Sequence, residues 1–282
     1  MSGNAGAGQG GSAGAGASGA GGEADAGGDT GAGGNAGAGG EAGCDATFVT
    51  DGDGGAPPGG PILIDVVIPW ETGFENDFCD YALARGFCYP GMNGSYEAVS
   101  TTVRSGERAA AFSVTSGQDA QARCVRQGVL PPLADYGAWF YLPTPRQVSG
   151  NWNLMHFQGG DAEVPNVDLW DVSLATTDQG GLTLYVRDFA RQPPMDVIYP
   201  AQAREVPIGT WFHVVFRFQR STDNTGSIAL YLDEDLLLER SGISTDSTLW
   251  QQWYVGNLVG PNDIMPPGAT LYVDDVSILP VP

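Results

Sequence analysis

A period of two runs through the most apolar stretch of this chain, and it constrains the fold more than any other feature. In Trp211–Gln219, Phe212, Val214, Phe216 and Phe218 alternate with Trp211, His213, Val215, Arg217 and Gln219. Successive side chains of a strand point to opposite faces, so one face of this segment belongs to a core. A polar loop (Arg220–Gly226) leads to a second strand at Ser227–Leu232, then the acidic turn Asp233-Glu234-Asp235 and a third strand at Leu236–Glu239. Together these make an antiparallel meander. Leu182–Arg187 and Trp152–Gln158 alternate in the same way, and further strands are expected at Ala109–Val114, Ala138–Leu142, Val167–Leu174 and Leu271–Leu279. Glycine and proline turn signals separate them, among them Gly159-Gly160, Pro193-Pro194 and Pro266-Pro267-Gly268. Asp77–Arg85 reads either as a short helix closed by Gly86 or as a loop pinned by a disulfide, and no long amphipathic helix is visible. The fold class is therefore all-β: a two-sheet antiparallel β-sandwich of the jelly-roll kind.

The alternation is missing from the start of the chain. Met1–Gly43 contains 19 Gly and 12 Ala, and the first aromatic residue is Phe48. Such a composition buries too little apolar surface to offset its ordering entropy, so residues 1–60 are expected to be a disordered linker. Residues 61–282 remain for one domain with a sizeable core.

The chain has 33 acidic residues against 12 basic ones, all Arg, for a net charge of -21. Seven of the acids fall in the first 60 residues, which leaves -14 on the body. That field repels phosphate and excludes nucleic acid as a partner. The four cysteines, Cys44, Cys79, Cys88 and Cys124, lack metal-site spacing and suggest two disulfides in an oxidising compartment. Three pairings exist; Cys79–Cys88 with Cys44–Cys124 is favoured because the first closes a short loop. No apolar run approaches the ~20 residues of a membrane span. The longest, Ile62–Ile68, carries Asp65. Gly/Ala tracts of this kind follow secretion or lipoprotein signals in bacterial surface proteins. A secreted or cell-surface monomer is expected, with its signal segment missing from this sequence.

The string Gly209-Thr210-Trp211-Phe212-His213-Val214-Val215-Phe216, a loop, then Gly226-Ser227-Ile228-Ala229-Leu230-Tyr231-Leu232-Asp233 resembles laminin-G-like domains and, more broadly, the concanavalin A-like lectin/glucanase superfamily. Glu234 stands where those families carry Gly. The wider layout, over roughly residues 62–280, is similar to heparin-lyase-I-like polysaccharide lyases. The matching pieces are Arg104–Ala110, Ala122-Arg123, Ala138–Pro143 and Trp152–Gly159. Thr72–Asn76 and Tyr272–Ile278 resemble the end strands of carbohydrate-binding modules. That resemblance implies a structural Ca²⁺ held by Glu75, Asp274 and Asp275, and oxygen-only ligands suit the ion.

A lyase needs a base, a neutraliser for the uronate carboxylate and an acid for the leaving oxygen. His156 and Gln158 are two apart on a strand and share a face, which Trp152 and Leu154 are expected to share as well. Tyr185 and Arg187 form a second such pair, and Arg123 matches the early Arg of the lyases. The roles would be His156 as base, Gln158 or Arg123 as neutraliser and Tyr185 as acid. His213 reads as structural. A retaining glucanase needs two convergent carboxylates. Asp233-Glu234-Asp235 is a turn, and Asp168 and Asp171 are expected on opposite faces. Sugar rings stack on aromatic planes; Trp139, Tyr141, Trp152, Trp250 and Trp253 are the candidates, the last two in an expected loop. The leading expectation is an extracellular polysaccharide-binding jelly roll. The alternative is a polysaccharide lyase acting by β-elimination, and the third reading is a non-catalytic adhesion module.

Overall fold

The computed structural model describes residues 63–161, 163–164, 167–190 and 196–281. The linker expected over 1–60 lies outside the described residues. In chain order the elements are β1 (Trp70–Thr72), α1 (Cys79–Leu83), β2 (Phe87–Pro90), β3 (Gly94–Val99), β4 (Ala109–Val114), β5 (Ala120–Gly128), β6 (Leu133–Tyr141), β7 (Gln147–Val148), β8 (Trp152–Gly160), β9 (Val167–Thr176), β10 (Leu182–Asp188), β11 (Asp196–Ile198), β12 (Trp211–Gln219), β13 (Gly226–Leu232), β14 (Asp235–Ile243), β15 (Trp250–Val259), β16 (Ile264–Met265) and β17 (Ala269–Pro280). Eight strands form one sheet in the order β14-β13-β12-β6-β17-β4-β3, with β1 also on β17. Seven form the other, β11-β10-β9-β8-β15-β5-β2, and β16 pairs with β7 in a small ribbon. Neighbours are antiparallel throughout both large sheets. This is the all-β jelly-roll sandwich that the period-two pattern implies.

The inner faces of the two sheets meet in one core. Phe212, Val214, Phe216 and Phe218 of β12 are fully buried in it, and they pack with Tyr136, Phe157, Trp170 and Trp253. Asn257 of β15 pins the sheets together. It accepts a hydrogen bond from Trp152 Nε1 at 2.9 Å, and its amide donates to the carbonyls of Phe112 and Ala269 on the opposite sheet at 3.0 and 3.1 Å. Each of these groups would otherwise be buried without a partner.

The acidic turn between β13 and β14 has φ of 48° at Asp233 and 71° at Glu234. Two positive φ values make it a tight hairpin turn of the kind that favours Asn-Gly, which explains the family preference for Gly where Glu234 stands. The Asp233 carboxylate accepts the backbone N–H of His213 at 2.8 Å and helps to hold this conformation.

Several expectations are corrected. Trp250–Val259 is a central strand, not a loop. Cys88 is bonded to Cys124, not to Cys79. The two face each other across β2 and β5, and that adjacency outweighs the shorter loop of the alternative. Cys79 is disulfide-bonded too, and Cys44 lies outside the described residues. The Asp77–Arg85 segment does contain a helical turn, α1.

Candidate active site

Three bulges shape the outer face of the seven-stranded sheet. In β8 the register shifts between Asn153 and Met155, so Leu154 and Met155 both turn into the core. Asn153, His156 and Gln158 then share the outer face, and Trp152 belongs to the core, not to His156's face. In β9 a second shift sends both Leu169 and Trp170 inward. This places Asp168 and Asp171 on the same face, against the sequence expectation of opposite ones. A third irregularity lies in β15 between Val255 and Leu258, at Gly256 with φ of 145°. A side chain there would meet the Ala122 carbonyl at 2.4 Å, so glycine lets β5 approach.

The outward residues line a cleft of about 320 Å³ that spans six strands. Tyr89 comes from β2, Gln121 and Arg123 from β5, Tyr254 from β15, His156 and Gln158 from β8, Asp168 and Asp171 from β9, and Arg187 from β10. Asn153 also lines it. His156 sits at the centre. Its Nδ1 is 2.6 Å from Asp171, whose side chain is 7% exposed, and its Nε2 is 3.4 Å from Asp168, which is 53% exposed. Burial pulls the imidazole pKa down, but the charge of Asp171 and the bonds to both aspartates outweigh it, and the net shift is upward. The Asp168 carboxyl moves the other way, held below its usual value mainly by its bond to His156.

Tyr254 packs beside His156 with ring centroids 5.1 Å apart. Its hydroxyl lies 2.9 Å from Gln158 Oε1 and 2.6 Å from Gln252 Oε1, and burial raises its pKa. The Arg123 guanidinium lies 4.6 Å over the Tyr254 ring and donates to Gln121 at 2.6 Å and to the Tyr89 hydroxyl at 3.1 Å. Three polar atoms in the cleft are buried without a partner: Arg123 Nε, Arg187 Nε and Asn153 Oδ1. Buried orphan donors and acceptors cost stability unless a ligand satisfies them.

The arginines divide by whether a carboxylate of the chain meets them. Arg104, Arg108, Arg204, Arg217, Arg220 and Arg240 each sit on an aspartate. Arg85, Arg123, Arg126, Arg146 and Arg187 have no carboxylate within ion-pair distance among the described residues, and two of these five, Arg123 and Arg187, share the cleft.

The structure gathers four of the five residues singled out for a lyase: His156, Gln158, Arg187 and Arg123. Tyr185 is not at the cleft wall. It is buried, stacks on Tyr199 at 5.2 Å and lies under Arg187. Sequence reasoning missed Tyr254 and Asn153, and it set Asp168 and Asp171 aside by placing them on opposite faces. The signal for Tyr254 was its place two residues from Gln252, hidden by reading that segment as a loop.

The aromatic candidates divide differently. Trp152, Trp250 and Trp253 are buried and present no ring face to a sugar. Trp139 and Tyr141 belong to β6 on the eight-stranded sheet, away from the cleft. Trp139 is stacked on His213 at 4.8 Å with Arg104 3.7 Å above its ring, and Tyr141 packs against Trp211 and Tyr272.

Glu75, Asp274 and Asp275 do converge, around Gly73. Their oxygens face donors, however. Asp274 accepts the backbone N–H of Arg104 at 3.0 Å, Asp275 pairs with the Arg104 side chain, and Glu75 accepts the N–H of Glu107 at 2.9 Å. Burial pushes the Asp274 carboxyl up to about 6. As arranged, the three acids anchor the loop at 104–107 through backbone N–H and guanidinium donors.

No protein-family model matches the sequence, and a comparison with curated proteins finds no match. Solved structures do match. The endo-β-1,4-glucuronan lyase of the fungus Trichoderma reesei superposes with a TM-score of 0.50 at 18% identity, covering 69% of this chain and 90% of that one. An alginate lyase from a Chlorella virus gives 0.54 at 10% identity, covering 74% and 98%. The marine alginate lyase from Aplysia kurodai gives 0.53 at 12%, covering 75% and 98%. At these identities the likeness is one of fold alone: this chain is a jelly-roll β-sandwich whose fold is similar to that of the alginate and glucuronan lyases.

Proposed function

We propose that this protein is a polysaccharide lyase that cleaves a uronate-containing glycan by β-elimination. The observation that carries the reading is the pair of guanidiniums without carboxylate partners, Arg123 and Arg187, in the same cleft as a histidine oriented by Asp171. An acid-rich chain that leaves two arginines unpaired in one cleft has a place for an external anion. The fold likeness supports the same reading, since the similar structures are lyases of glucuronan and alginate.

The substrate carboxylate is met by Arg123 and by the Gln158 amide, which weakens the C5–H bond by stabilising the developing enolate. Asp171 holds the proton on His156 Nδ1, so the Nε2 lone pair takes the C5 proton. Electrons of the C5–H bond form the C4=C5 double bond as the C4–O4 bond breaks. The Tyr254 hydroxyl, in place of the Tyr185 expected from sequence, gives its proton to O4. Asn153 Oδ1 accepts a sugar hydroxyl. The Cys88–Cys124 disulfide supports the accompanying reading of a secreted or surface-held enzyme.

A purely glycan-binding role would draw on stacking aromatics, and the tryptophans nearest this face are buried. Incubation with a panel of uronate polymers tests the proposal through the ultraviolet absorbance of the unsaturated product. Product from at least one polymer is expected, and none from any would overturn the reading.

A further inference from the structure

The cleft runs across the strands of its sheet, from Tyr89 on β2 to Arg187 on β10. One strand lies beyond Arg187, the edge strand β11, and Tyr199 follows it directly. Register fixes what that edge presents to a polymer leaving the cleft. His156 pairs with Asp171, Asp171 with Arg187 and Arg187 with Val197, so these four make one row across the sheet. Val186 and Ile198, paired on the same two end strands, belong to the core. Alternation therefore turns Tyr185, Arg187, Val197 and Tyr199 to the outer face. The Tyr199 ring lies against that of Tyr185, with centroids 5.2 Å apart and planes at 25°, and the Arg187 guanidinium is 5.5 Å from the Tyr185 ring. Tyr185 thus joins Arg187 to Tyr199.

The two stacked tyrosines differ in exposure. Tyr185 is 3% exposed and Tyr199 57%, and among the described residues no other Phe, Tyr or Trp is exposed. The stack already holds the Tyr199 ring, so a ligand that covers its open side immobilises little. From His156 on β8 to β11 is three strand spacings, about 14 Å at the backbone. A sugar at Tyr199 is therefore not the reacting ring but a later ring of the same polymer.

From this arrangement we infer that Tyr199 is a sugar-stacking subsite at the β11 end of the cleft: its exposed face takes the C–H face of a ring that lies past the one whose carboxylate meets Arg187. The inference rests on the lyase reading, which sets the reacting ring at His156. The two end residues divide the work by chemistry. Arg187, with its unpartnered Nε, takes an anion. Tyr199 takes the apolar face of a ring whatever acid that ring carries. The preferred substrate is then a polymer held over several rings rather than a short fragment.

The test gives the protein, Tyr199→Ala and Tyr199→Phe a series of oligouronates, from disaccharide to octasaccharide, of a polymer that the protein cleaves. In the protein kcat/KM should rise with length until the chain reaches β11. In Tyr199→Ala the ratio of the octasaccharide to the shortest oligomer cleaved should fall by about three- to tenfold, and Tyr199→Phe, which keeps the ring, should retain most of the ratio. Each ratio is taken within one preparation, so an inactive fraction cancels. A ratio in Tyr199→Ala equal to that of the protein, with rates lowered alike at every length, would show that Tyr199 only covers Tyr185 and would overturn the inference. Calorimetry with alginate oligomers of the same lengths in the His156→Ala background separates this from the lyase reading. If no glycan is cleaved but Tyr199→Ala still weakens binding of the long oligomers more than the short ones, the lyase falls and the subsite stands. Cleavage with no effect of Tyr199→Ala on length dependence does the reverse, and no binding at any length overturns both.

Discussion

The two outer faces of the sandwich treat arginine in opposite ways. On the eight-stranded sheet Arg217 grips Asp135 through two bonds of 2.7 and 2.9 Å, and Arg104 sits on Asp275 while covering Trp139. Even the histidine of that face, His213, is consumed by its stack on Trp139, and burial pushes its pKa down. On the seven-stranded sheet Arg123 and Arg187 keep unpartnered Nε atoms, and two aspartates raise the pKa of the histidine. Both faces were built from one acid-rich composition. The difference is that carboxylates of the chain meet the arginines of the one face, and none meets the two arginines of the cleft.

The contrast breaks most sharply at the histidines. His156→Ala should lower kcat/KM by about 10²–10⁴-fold, whereas Arg217→Ala on the other face should leave turnover unchanged. Steady-state rates on the same polymer read both. Next in size is the joint between the faces. Asn257→Ala strands Trp152 Nε1 and two buried carbonyls, and should cost about 2–3 kcal/mol in urea unfolding. A cost below that of an ordinary surface change would show that Asn257 is not the tie between the sheets.

Proton linkage at His156 gives a third test. Only the neutral imidazole accepts a proton, and its raised pKa moves the acid limb of the rate profile above the ordinary histidine value. Removing a neighbouring negative charge destabilises the imidazolium and lowers that pKa. Asp171→Asn should therefore shift the limb to lower pH by about one pH unit, with a fall in kcat from the lost orientation. A limb that stays in place would break the link between Asp171 and His156. The smallest effects belong to the paired face. Arg217→Ala should cost no more than about 1 kcal/mol, as a partly exposed ion pair. Glu234→Gly relieves a left-handed backbone position and should add about 1 kcal/mol in thermal unfolding.

The same contrast decides what the sequence showed. β12 is legible to the residue, because one face is core and the other is partly open to solvent, and alternation survives. β5 and β15 lie in the middle of the cleft sheet, with buried residues on both faces. Their outward residues are polar but enclosed, so Ala120–Gly128 and Trp250–Val259 show no clean period and went unread. With them went Tyr254 and the partner of Cys88. His156 and Gln158 were legible as a pair on one face. Their neighbours were not, because the bulges at Leu154 and Leu169 shift the phase by one residue and nothing in composition announces a bulge. That shift moved Trp152 into the core and brought Asp168 and Asp171 to His156.

β-Elimination is proposed for the unpaired-cation face and not for the paired one. The direct measurement is the rate of unsaturated-uronate formation by the protein, His156→Ala and Arg217→Ala, side by side on one responsive polymer. Equal rates are expected for the protein and Arg217→Ala, with His156→Ala at background. Equal product formation by His156→Ala, or no product from the protein on any uronate glycan, would contradict it.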